Sequence, residues 1–299
     1  MITHMEHIFL NVFNIILPIL ICIGAGYWLA IVKASFDNNV INGLINRIGF
    51  PTLVISHLSS TSLDTGTFFN VLAAALMMVA GFGVLGFLAL KVLRYPVGAF
   101  LGPLMHGNMG SIGLPIVLLA FGDVGMAYAM GFVIVILLSM FTIGIWLPSG
   151  TVSLKMLFTS PVIYAAIFAI GLVVMGIELP KPINATFNIL GGLAIPLLLL
   201  TMGHTLATFK VTDATRALIL TAVHLAIAVF VALLVVHVFG FTGVERGVVI
   251  VACLMPSSVA GYLFADEYSP EEAPEVAGYI LVSTIATFIV LPLALTFWI

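Results

Sequence analysis

The chain has 299 residues, of which 62% are apolar and only 7% charged, with nine basic and twelve acidic side chains and a net charge of −3. Soluble domains run at roughly 45–50% apolar and about 25% charged, so this chain cannot coat a water-facing globule. It is equally far from the polar composition of disordered chains and from the basic surface that nucleic acid needs. Two cysteines exclude a disulfide scaffold or a Cys-rich metal cluster.

Stretches free of Asp, Glu, Lys and Arg mark the expected elements, against the about 20 apolar residues that carry a helix across hydrocarbon. They run 7–32, 38–63 (interrupted by Arg47 alone), 65–90, 95–122, 124–154, 156–177, 182–209, 217–244, 247–265 and 276–299. The fold class expected is therefore an all-α polytopic membrane protein with ten transmembrane helices. Met1–His7 carries no Lys or Arg and the run after it is too long for a signal peptide, so the first stretch reads as a retained span. Loops after odd-numbered helices hold Lys33, Arg47, Lys91, Arg94, Lys155, Lys210 and Arg216, and the opposite side holds Lys181 and Arg246. By the positive-inside rule both termini are extracytoplasmic.

The two halves share features in the same order. Asn42-x-x-x-Asn46-x-x-Gly49 opens helix two and Asn184-x-x-x-Asn188-x-x-Gly191 opens helix seven, followed by Pro51 and Pro196. Phe121-Gly122-Asp123 ends helix four and Phe264-Ala265-Asp266 ends helix nine; Leu147-Pro148 and Leu291-Pro292 close the helices after them. Five helices per half place the second repeat upside down relative to the first, so residues 1–150 and 151–299 are expected to form a 5+5 inverted repeat. In carriers built this way the site lies near the midplane, where broken helices meet.

Helix four contains His106-Gly-Asn-Met-Gly-Ser-Ile-Gly-Leu-Pro115, and helix nine contains Leu254-Met-Pro-Ser-Ser-Val-Ala-Gly261. Interior glycine costs a helix about 1 kcal/mol and proline about 3. Exposed backbone inside a membrane is tolerated only when buried in protein or lining a wet cavity. If Pro115 and Pro256 each begin a half-helix, free N–H groups and positive dipole ends converge where an anion could sit. Asn108, Ser111, Ser257 and Ser258 add side-chain donors, so a carboxylate could be held without a buried Lys or Arg. The simpler alternative is that both prolines only kink their helices.

These stretches carry a family resemblance. Leu17-Pro-Ile19 with Gly24-Ala-Gly-Tyr27 and Asn46-Arg-Ile-Gly-Phe-Pro51, Gly107-Asn-Met-Gly-Ser-Ile-Gly-Leu-Pro115 with Phe121-Gly-Asp123, Ile195-Pro196 with Gly203-His-Thr-Leu206, and Met255-Pro-Ser-Ser258 with Ala265-Asp-Glu-Tyr268 resemble the auxin efflux carrier family of plants and bacteria. The resemblance implies helices one, two, six and seven as scaffold and homodimer contact, helices three to five and eight to ten as a moving transport domain, and helices four and nine crossing at the substrate. It implies small organic acids as cargo, auxin in plants and malate or malonate in bacteria, and a place in the bacterial inner membrane. The candidate substrate-binding residues are Asn108, Gly110, Ser111, Pro115, Pro256, Ser257 and Ser258. Where many relatives carry Asn after the second proline, this chain has Ala260-Gly261.

No Asp or Glu falls mid-span; Asp64, Asp123, Glu178 and Asp213 sit at ends. Ion coupling usually needs a carboxylate at depth, which leaves uncoupled movement or proton linkage through a histidine, with His106 the candidate and a hydrogen-bonded structural role its alternative. His224 is expected to bond a neighbouring carbonyl, with a functional role as its alternative. Arg47 is expected to snorkel to the headgroups, with direct anion binding as its alternative; Cys22 and Cys253 read as small packing residues. No Gly-x-Ser-x-Gly, His-Glu-x-x-His or intramembrane Asp pair supports an enzyme, and no metal or cofactor site is expected. The function expected is a secondary transporter of small organic anions by alternating access, against a sodium-coupled symporter like those for bile acids, or an anion channel or sensor.

Overall fold

A computed structural model describes residues 2–60, 65–151 and 158–298. The expected span ends within 61–64 and 152–157, with Asp64 and Lys155, lie outside the described residues. Helix α1 (Ile2–Ile31) leads to Asp37, whose carboxylate accepts from the amides of Asn39 and Val40 and so caps α2 (Asn38–Leu44). A π turn, Ile45–Gly49, joins α2 to α3 (Phe50–Ser60), and α4 is Thr65–Leu93. Helix α5 (Val97–Met105) stops at residues 106–108; helical structure resumes in a π turn, Met109–Gly113, and continues as α6 (Leu114–Ser139), a third π turn, Met140–Gly144, and α7 (Ile145–Ser149).

The second half holds α8 (Pro161–Met175), α9 (Lys181–Gly191), α10 (Ala194–Leu206), α11 (Ala214–Phe239), α12 (Gly243–Leu254), α13 (Val259–Tyr268) and α14 (Ala273–Phe297). Among the described residues there is no strand, only an antiparallel bridge between Gly107 and Ser257.

Among the described residues, six helical stretches are long and apolar enough to cross a membrane: Val12–Ile31, Thr65–Leu93, Met109–Ser149, Lys181–Leu206, Ala214–Phe239 and Ala273–Thr296. The third of them is 41 residues long, about twice the length that spans a bilayer. It is broken at Gly122, whose φ of +64° and ψ of −155° leave the helical region. Glycine takes up that positive φ without a Cβ penalty, and the break falls at the Phe121-Gly122-Asp123 boundary read from the sequence.

Lipid gives helices no hydrophobic reason to associate, so close approach through small residues does that work. Helix α1 packs on α10 at glycines: a Cβ on Gly26 would overlap the Leu200 carbonyl, and one on Gly203 the Ile23 carbonyl. Helix α3 lies against α8 and α9. In the other group, α4 packs on α5, α6 and α11, and α12 on α6 and α11. The run Val248–Met255 in and after α12 is buried along its whole length, at 0–3% exposure, so the second interruption sits inside protein rather than against lipid. Arg216, at the start of α11, pairs with Glu272 at 3.6 Å and with Glu275, and lies 4.7 Å from the Tyr95 ring centroid. The connections before α5, before α11 and before α14 therefore share one face of the molecule.

Candidate functional site

The two interruptions lie side by side and satisfy each other's backbone. The Asn108 amide donates to the Pro256 carbonyl at 2.7 Å, and the Ser258 amide donates to the His106 carbonyl at 3.0 Å. Neighbouring helices take the groups left over. The Leu254 carbonyl accepts from Thr287 Oγ1 at 3.2 Å, the Met255 carbonyl from His224 Nε2 at 3.0 Å, and the Ser257 amide donates to Ser283 Oγ at 3.4 Å. Buried backbone groups must be paired somewhere, and here the partners come from the facing break, α11 and α14 instead of from a continuous helix.

The first break is placed by Asn108 rather than by Pro115. The Asn108 side-chain oxygen accepts from the Ser111 amide at 3.3 Å, and its carbonyl accepts from Ile112 at 3.1 Å and Gly113 at 3.2 Å. Helical structure thus restarts at Met109, six residues ahead of the proline. Pro115 is buried in the following turn and has no N–H to return, so a carbonyl of the Gly110–Ser111 turn lacks its helical donor. At the second break Pro256 lies in extended chain, and Ser258 caps α13 by accepting from the Ala260 amide at 3.3 Å. Both half-helices start with a short polar cap, as capping preferences dictate.

A cavity of about 410 Å³ opens beside the paired breaks. Asn108, Gly110, Ser111 and Ser258 line it; Pro115, Pro256 and Ser257 do not. Ser257 is fully buried, and its hydroxyl has no partner among the described residues. Asn108 is 5% exposed, and its Nδ2 reaches only the Met202 sulfur, at 3.5 Å, a weak acceptor. The rest of the wall is mainly apolar, with Phe50, Ile136, Met140, Phe141, Val162 and Leu198. Among the described residues no charged side chain reaches the lining, and no three His, Cys, Asp or Glu gather where a metal could bind.

His106 is 2% exposed and lies outside that cavity, beside a void of about 10 Å³ between α5, α7 and α13. Its Nδ1 lies 2.9 Å from the Gly102 carbonyl and must donate there; its Nε2, 2.9 Å from Ser139 Oγ, then accepts from that hydroxyl. Both ring nitrogens of the neutral ring are occupied.

Among the lining residues that escaped the sequence reading, the polar ones are Asn46, Thr159 and Ser160. Asn46 stood out only as a repeat marker, yet it lies on the π turn that precedes Phe50, and such turns recur at functional sites. Ser160 and Pro161 are the N-cap and first residue of α8. That Ser-Pro pair is a helix-start signal readable from sequence, but its place opposite Asn108 is not.

A family model described as "Membrane transport protein" matches residues 145–299. An uncharacterised transporter of Methanothermobacter thermautotrophicus is 25% identical over 96% of this chain and 98% of its own length. Another, from Methanocaldococcus jannaschii, is 24% identical with the same coverage, 96% and 98%. The matched region of the family contains the whole second break and every helix that supports it. With that match over more than half of its length, and relatives aligned end to end, the chain belongs to the membrane transport protein family, that of the auxin efflux carriers, and is a multi-pass membrane transporter.

Proposed function

We propose that the protein is a secondary carrier of small organic anions, carboxylates above all, working by alternating access with its site where the two breaks meet. The observation that carries this reading is the polar wall of the cavity, built from both interruptions at once by Asn108, Ser111 and Ser258. Hydroxyl, amide and helix-start donors attract a carboxylate without a fixed cation that would slow its release. A carboxylate entering there exchanges water for donors that the fold leaves underused, Asn108 Nδ2 first among them.

In this reading ten spans form two inverted five-helix repeats, 1–150 and 151–299, with the second, fourth and ninth spans interrupted or widened at residues 45–49, 106–113 and 255–258. The packing of α1 on α10 and of α3 on α8 and α9 supports spans one, two, six and seven as a scaffold, and as the homodimer contact. The remaining spans form the moving body, held together by the bonds between the breaks. The cavity lies between the two groups. Both termini face the extracytoplasmic side of a bacterial inner membrane, and the face holding Arg216 and Tyr95 is cytoplasmic. With both nitrogens of His106 occupied, transport is driven by the membrane potential and the substrate gradient, about 2.3 kcal/mol per charge per 100 mV.

The test is a thermal-shift screen of the purified protein against acetate, indole-3-acetate, malonate and malate, followed by counterflow of each stabilising acid in proteoliposomes with and without sodium. Saturable, sodium-independent counterflow is the expected result. Flux that shows no counterflow would mark a channel, and sodium dependence would mark a symporter.

A further inference from the structure

We propose that His224, fixed by Tyr279, is a positioning residue for the transport site, holding the second break in register with the first. The inference rests on the carrier reading for the site it serves, but its geometry stands apart from any substrate. His224 projects from α11 and is 1% exposed. Its Nε2 lies 3.0 Å from the Met255 carbonyl. A carbonyl only accepts, so Nε2 carries the proton. Nδ1 is then bare and accepts from the Tyr279 hydroxyl at 2.8 Å. Two partners on two other helices thus select one tautomer of a neutral ring, which Phe82 of α4 flanks at a centroid distance of 5.4 Å.

The carbonyl that His224 holds is the last before Pro256, and the next one, that of Pro256, accepts the Asn108 amide. One peptide unit therefore separates the His224 bond from the residue that lines the cavity. Because α12 stops at Leu254, no helical amide serves Met255, and the imidazole N–H stands in for it. Without that donor the peptides at 255–256 would turn to find another partner, and the Asn108 and Ser258 amides would lose their fixed acceptors. Asn108 would no longer be presented to the cavity at a set angle. The His106 side chain acts within its own half, on Gly102 and Ser139, whereas that of His224 reaches the break from another span.

Amide hydrogen exchange on the full chain in lipid nanodiscs tests this without any substrate. In His224→Leu, the segments 104–112 and 254–262, which report the Asn108 and Ser258 amides, are expected to exchange at least about tenfold faster. The α1–α10 pair, residues 20–30 and 196–206, and the α4–α11 contact are expected to stay as in the wild type. His224→Gln places an amide nitrogen where Nε2 stood and is expected to restore protection. Wild-type exchange in the Leu variant overturns the proposal, as does faster exchange throughout α11–α14 or failure of Gln to restore it. Should the Leu variant not fold, Tyr279→Phe releases the tautomer and is expected to speed the same two segments by a smaller factor; no change there overturns it equally. If no acid in the screen binds while these exchange results hold, the carrier reading fails and the positioning role remains.

Discussion

At the scale of single residues, the site's logic is donors without charge. Asn108 has two tasks, capping the restarted helix through its side-chain oxygen and lining the cavity. Asn108→Ala removes both: loss of a cap costs about 1 kcal/mol, and loss of a donor to a charged group about 1.5–3 kcal/mol, or roughly 10- to 150-fold in affinity. The expected outcome is a melting temperature within a few degrees of wild type and counterflow lowered at least about tenfold. Counterflow at the wild-type rate would remove Asn108 from the site. Asn46, which borders the cavity from the π turn Ile45–Gly49, caps no helix among the described residues. Asn46→Ala is therefore expected to raise KM for the transported acid several-fold with little change in melting temperature, and an unchanged KM would leave it a bystander at the cavity mouth.

At the scale of elements, two kinds of irregularity shape the molecule, and they differ in how far sequence shows them. Breaks are visible because glycine, proline and asparagine are costly inside helices: residues 106–115 and 254–261 stand out on propensity alone. Their position is less visible. Asn108, a cap, outranks Pro115, a breaker, because the π turn after it lets the proline sit inside a helix already begun. Which residues face the cavity is invisible, since Ser258 lines it and Ser257 does not, and one residue of extended chain decides between them. Thr159 and Ser160 carry no motif that points to the site; only the packing of α8 against α3 brings them there. Helix packing partners are not legible: Gly24 and Gly26 stand in one Gly-Ala-Gly stretch, yet Gly26 meets the Leu200 carbonyl while Gly24 has open space. Gly203→Val is accordingly expected to destabilise the α1–α10 contact by roughly 1–3 kcal/mol, as overpacking does, and to lower the yield of folded protein in detergent. Gly24→Val is expected to do neither, and equal losses from both would refute the packing argument.

At the scale of the whole molecule, the proposed alternating access would move the two helix groups past one another, and a contact between them can be clamped to test it. His57 Nδ1, on α3, lies 3.8 Å from Asp123 Oδ1, at the turn after the Gly122 break. Helix α3 packs on α8 and α9, which in the proposed division makes it part of the scaffold, and Asp123 part of the body that carries the paired interruptions. The cavity, in contrast, is lined by Asn46 and Thr159 towards the opposite ends of their spans. In the proposed carrier the pair therefore lies on the side away from these cavity residues, where the groups would separate for the cavity to open the other way. In a background lacking Cys22 and Cys253, His57→Cys with Asp123→Cys, joined by a short bifunctional thiol reagent, is expected to stop counterflow. A reducible linker is expected to restore it on cleavage, and each single cysteine is expected to transport after the same treatment. Binding measured by thermal shift is expected to survive the cross-link, because the site stays intact and open on one side. Counterflow that continues at full rate with the link in place would mean that these two bodies do not move apart during transport, and the division into scaffold and moving body would have to be drawn elsewhere.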